Sequence, residues 1–93
     1  MRQPVKASTQ ANANATRVFH DKRKANLKLQ IFDPVTVYVA QNQNDLQSGL
    51  DVAGNPARGL QFGQGVYDFL GVNGELWVIC NQQIEVEVLW WYV

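Results

Sequence analysis

From Ala25 onward the chain alternates apolar and polar positions with a period of two. Leu27, Leu29 and Ile31 alternate with Lys28 and Gln30, and Val35, Val37 and Val39 alternate with Thr36 and Tyr38. Each stretch reads as a β-strand with one buried face, and Asp33-Pro34 between them supplies a turn. After Gly59, short apolar pieces alternate with turn residues: Leu60 to Phe62, Gly63-Gln64-Gly65, Val66 to Leu70, Asn73-Gly74, Glu75 to Cys80 and Asn81-Gln82-Gln83. Asn-Gly between apolar runs predicts a hairpin at 73–74, because both residues tolerate positive φ. No stretch joins a 3.6-residue apolar period to an N-cap and sufficient length, so no helix is expected. Gln41 to Gly59, rich in Asn, Gln, Asp and Gly, reads as a long exposed loop. Six or seven short strands at this spacing predict an all-β fold, a small β-sandwich or a jelly-roll-like barrel with an extended N-terminal arm.

The last strand changes its pattern partway. Ile84, Val86 and Val88 alternate with Glu85 and Glu87, and then Leu89, Trp90, Trp91, Tyr92 and Val93 are apolar on both faces. Each large aromatic carries roughly 150–250 Å² of surface, so burying both tryptophans contributes on the order of 8–12 kcal/mol before entropic costs. Either the body curls to bury both faces or another subunit covers one of them. A subunit interface is the preferred reading, since aromatics are enriched at interface cores and so short a chain has little extra sheet to offer. Leu89, Trp90, Trp91 and Tyr92 are accordingly candidate partner-binding residues.

Residues 1–24 differ from the body. Met1 to about Ala15 is mostly Gln, Ala, Asn, Ser and Thr, with little that could enter a core, and reads as flexible. Extended, this stretch reaches on the order of 50 Å, enough to cross a neighbouring subunit. A division into a flexible basic arm over 1–24 and a β-sandwich body over 25–93 follows. The formal net charge of zero conceals an asymmetry: residues 1–28 hold seven Lys or Arg against Asp21, and residues 29–93 hold Arg58 against seven acids, giving plus six against minus six. Such a chain can associate head to tail or lay its arm on an acidic protein surface. Arg17, Lys22, Arg23 and Lys24 are therefore further candidate partner-binding residues. Nucleic acid is the alternative occupant, disfavoured because only Phe19 interleaves with the charges and the acidic body repels phosphate.

Catalytic chemistry has little material. His20 and Cys80 are single residues in unlike settings, and the acids fall in turns, in the loop or on the polar side of a strand, which leaves neither a nucleophile pair nor facing carboxylates. A calcium site from Asn42, Asn44, Asp45 and Asp51 lacks EF-hand spacing. No catalytic residue, metal or cofactor is expected. Cys80, within the apolar run Leu76 to Cys80, is expected to be a buried core residue. No window approaches the 18 to 20 apolar residues, roughly, that cross a bilayer, so no membrane partner is expected.

The succession Val35-Thr-Val-Tyr-Val39, Gly59-Leu-Gln-Phe-Gly63, Gly74-Glu-Leu-Trp-Val-Ile79 and Glu85-Val-Glu-Val-Leu-Trp90 is similar to small structural proteins encoded among the head genes of tailed bacteriophages. The likeness covers about residues 26–90 and is most specific at Gly74 to Ile79. It implies a compact β fold used in many copies on a virion assembled in the host cytoplasm, as a decoration or cement protein, a head fibre base or a head-to-tail component. The implied partners are capsid or head-tail subunits and further copies of the chain, a trimer being one plausible form. No catalytic residues come with the resemblance, and it does not reach the basic arm or Trp91 to Val93.

Overall fold

A computed structural model describes residues 2–5 and 14–93. The described residues are all-β apart from one short helix. Strand β1 spans Arg2–Val5, β2 Thr16–Ile31, β3 Val37–Ala40, β4 Leu60–Phe62, β5 Gly65–Cys80 and β6 Ile84–Tyr92, with helix α1 at Gln43–Gln47. All six strands join one antiparallel sheet in the order β1-β6-β2-β5-β3-β4. The stacked sheets expected of a sandwich are thus replaced by a single sheet that curls into a half-barrel.

The curl arises in the two long strands. Asp21 pairs with Gly74 and Ala25 with Val72, so Lys22, Arg23 and Lys24 stand opposite Asn73 alone. Extra residues in one strand bend it and increase its twist. A second irregularity follows at once, with Leu70 and Gly71 opposite Asn26. Gly71 has φ +66°, a region that disfavours side chains, and its N–H donates to Asn26 Oδ1 at 2.9 Å. Beyond the bend β2 continues between β5 and β6, whereas the far half of β5 continues between β2 and β3. Leu27, Leu29, Ile31, Val86 and Val88 therefore face Val37, Val39, Leu76, Val78 and Cys80 across one core. Cys80 is buried, as its apolar run predicts, and burial pushes its thiol pKa up.

Several expectations need correction here. Asn73-Gly74 is no hairpin: both residues lie inside β5, and the positive φ of Gly74, +98°, serves the bend. The arm expected over 1–24 ends earlier, because Thr16 to Lys24 form the first part of β2, with Val18 and Phe19 buried in the core. Arg2–Val5 pair with Glu87–Ile84, and Val5 is buried. Ala15 is buried beside Leu46 and Ile79, and the flexibility expected from Met1 to about Ala15 otherwise concerns residues 1 and 6–13, which lie outside the described residues.

The long loop expected over 41–59 contains α1. Asn42 caps it by accepting from the Asp45 N–H at 2.9 Å, and Leu46 packs fully buried against Ile79, Trp77 and Tyr38. Five residues are too few to display a helical period, which hides the element from pattern reading. Its function in the fold is plain from the sequence around Ile79: β5 is apolar on both faces from Leu76 to Cys80, and α1 covers the face that turns away from the main core.

Candidate functional site

The second run that is apolar on both faces, Leu89 to Val93, has no such cover among the described residues. Trp90 and Tyr92 share the face of Ile84, Val86 and Val88 but extend past the packed core, whereas Leu89 and Trp91 lie on the outer face with Glu85 and Glu87. Trp90 is 39% exposed, Tyr92 43%, Trp91 48%, Leu89 49% and Val93 66%. Two flanking residues anchor the core-side pair. Phe19 meets Trp90 edge to face at 5.7 Å between ring centroids, a favoured aromatic geometry. The Arg23 guanidinium lies over the Tyr92 ring at 3.9 Å, a cation–π contact.

Asp21 completes this corner. Its carboxylate accepts from the Tyr92 hydroxyl and, at 2.9 Å, from the Arg23 backbone N–H. The Arg23 N–H, followed by the Tyr92 hydroxyl, holds the Asp21 pKa below its ordinary value. The same carboxylate, by favouring the protonated phenol, raises that of Tyr92. The basic bulge and the aromatic strand end, separated by some 70 positions in sequence, thus form one surface; nothing in the spacing of either segment announces this.

The eight candidate residues divide into three groups. Lys22, Arg23 and Lys24 are exposed on the bulge, beside Trp90 and Tyr92. Leu89 and Trp91 occupy the opposite face of the same strand, against Lys28 and Asn26 of β2. Arg17 stands apart, opposite Trp77, where its guanidinium pairs with Glu75 at 3.4 Å and the Trp77 indole N–H donates to the same carboxylate at 2.9 Å. Those contacts lower the Glu75 pKa, the indole hydrogen bond most strongly.

The pattern reading missed Val66 and Leu70, 52% and 77% exposed on β5. They alternate with Tyr67 and Phe69, which pack toward the core, and lie on the outer face of the sheet, separated from Leu89 and Trp91 by Asn26, Lys28 and Gln30 of β2. Period two was the available signal. The candidate loop carboxylates do not converge: among the described residues, no group of three or more His, Cys, Asp or Glu side chains is gathered to hold a metal ion. Asp51 instead closes its own turn, accepting from the N–H groups of Ala53 and Asn55 at 2.8 and 2.9 Å. Comparison with protein-family models, with curated proteins and with solved structures found no match.

Proposed function

We propose that this protein is a non-enzymatic structural subunit of a tailed-phage virion, in a decoration or cement role, that binds neighbouring capsid or head-tail subunits through its C-terminal strand. One observation carries the binding part: five consecutive large apolar residues, Leu89 to Val93, stay 39–66% exposed in a chain that covers its other two-faced apolar run with a helix. Contiguous apolar exposure of this kind marks interaction surfaces. The virion part rests on the resemblance of residues 26–90 to phage head proteins. In this reading many copies bind jointly by avidity.

Mass spectrometry of purified particles from the phage that encodes the chain tests the proposal. The protein should be a stoichiometric component, and removal of Trp91 to Val93 should deplete it from particles without unfolding it. Absence of the wild-type chain from particles would refute the virion reading. A second reading, a nucleic-acid-binding module, draws on one arrangement: exposed Lys22 to Lys24 adjoin the half-exposed rings of Trp90 and Tyr92, and basic grooves with stacking platforms bind single strands. Asp21 at the centre of that corner weighs against it. Submicromolar oligonucleotide binding at physiological salt, abolished by reversing the charges of Lys22, Arg23 and Lys24, would favour it.

A further inference from the structure

Among the described residues, strand β1 pairs with the edge of β6 that faces away from β2, from Val5 opposite Ile84 to Arg2 opposite Glu87, and no strand pairs with that edge from Leu89 onward. The Val93 N–H donates to the Lys24 carbonyl at 3.4 Å, in the register that opposes Tyr92 to Ala25. Antiparallel residues alternate between turning their N–H and C=O toward one neighbour and toward the other. Leu89, Trp91 and Val93 therefore direct theirs to β2, and Trp90 and Tyr92 direct theirs to the side on which no described strand lies. An apolar edge open among the described residues is a template for strand addition.

We infer that β6 pairs with β6 of a second copy, antiparallel about a two-fold axis at Trp91, to give a sheet continuous across two subunits. It rests on the reading of Leu89 to Val93 as a protein-binding surface, and names the occupant. Symmetry restricts the register. A two-fold axis normal to the sheet keeps every residue on its own face, and directly opposed residues share a face, so only residues of like parity can be opposed. Centring on Trp90 would bring Val93 of the second copy opposite Glu87, where Arg2 already sits. Centring on Tyr92 would oppose Trp91 to Val93 and Tyr92 to itself, and leave Leu89 and Trp90 without a counterpart within the apolar run. Centring on Trp91 opposes Leu89 to Val93, Trp90 to Tyr92 and Trp91 to itself, clear of β1 in both copies.

That register is chemically self-complementary. Every opposed pair is apolar, Glu85 and Glu87 fall outside it, and the amides of Trp90 and Tyr92 exchange about four backbone hydrogen bonds. On the outer face Leu89, Trp91 and Val93 of both copies would form one stripe of cross-strand pairs. Only half-exposed side chains are covered, which places the interface at the small end of the range for specific complexes. The dimer should accordingly be concentration-dependent.

Cysteine cross-linking tests the register. Trp91 would face its counterpart in a non-hydrogen-bonded pair, with Cα atoms about 4.5 Å apart, whereas Leu89 and its counterpart would be four residues out of step, roughly 13 Å. Under mild oxidation Trp91→Cys should form a disulfide-linked dimer at least about tenfold faster than Leu89→Cys, because bridged Cα atoms lie within about 7 Å. Both positions are exposed, and buried Cys80 offers no competing thiol. Sedimentation velocity of the wild-type chain should show its mass rising from 10.5 kDa toward twice that value with concentration. Equal cross-linking of the two variants, or a wild-type chain that stays monomeric at millimolar concentration, would overturn the inference and leave the virion reading standing. Cross-linked dimers from a chain absent from purified particles would do the reverse.

Discussion

Asp21 and Tyr92 each hold the other in one protonation state. The Asp21 pKa lies below its ordinary value of 3.8 and that of Tyr92 above 10.0. A depressed carboxyl pKa contributes stability that is present above the unfolded value and lost as pH falls through the folded one. A raised phenol pKa contributes stability that is present below the unfolded value and lost as pH rises through the folded one. The corner that joins bulge to strand end should therefore persist across neutral pH, loosening in acid below about pH 4 and in alkali above about pH 10. Carboxyl-carbon NMR titration should find Asp21 below the usual range. Tyr92→Phe should move it only partway back, because the Arg23 N–H, the larger cause, remains. A complete return would show that the phenol alone sets the shift.

Among the elements, α1 is the sharpest case of structure hidden from pattern reading. Its single buried apolar residue, Leu46, is fixed by a cap that Asn42 and Asp45 make together. Leu46→Ala should cost about 2–5 kcal/mol, the range for emptying a packed leucine site, and Asn42→Ala about 1 kcal/mol through the lost cap. Denaturant unfolding measures both; near-equal costs would contradict the burial of Leu46. Gly59 supports the same packing: at φ +111° a side chain is strained, and an added Cβ would lie 2.9 Å from Leu46 Cδ2. The strands were legible where one face is buried, as in Leu27–Leu29–Ile31 and Ile84–Val86–Val88. Asn73-Gly74 misled because a positive φ serves a bulge as well as a hairpin, and local sequence does not say which. Deleting Arg23 and Lys24 would leave Lys22 alone opposite Asn73 and remove the excess that bends β2. That deletion should lower the melting temperature more than serine at all three basic positions, which preserves the bulge.

At the scale of the whole molecule, the β class was readable from period and turns, but the choice between stacked sheets and one curled sheet was not. That choice depends on how many residues oppose one another along β2 and β5, a pairing property invisible in either strand alone. The candidate surface was half legible. The loss of alternation at Leu89 marked the strand end, and the charges marked the bulge, yet their contact through Arg23 and Tyr92 arises only in the fold. Strand β1 adds a consequence at this scale, since it shields the edge from Ile84 to Glu87. Deleting residues 1–5 should expose Ile84, lower the melting temperature and promote self-association along the lengthened edge. Light scattering during a thermal ramp checks this, and a truncated chain that stays as stable and as monomeric as the parent would show β1 to be dispensable.

The burial of Cys80 gives the protein an internal clock. It is the sole thiol in the sequence, lies 1% exposed opposite Val37 in the core, and its raised pKa keeps the reactive thiolate scarce. A thiol reagent can reach it only when the half-barrel opens. Where opening is fast and reversible, the labelling rate reports the population of the opened state, and each 1.4 kcal/mol or so of lost stability should quicken it about tenfold. Modification would also trap the opened chain by blocking the site the sulfur must refill, so an alkylating environment converts transient opening into permanent loss of the folded chain.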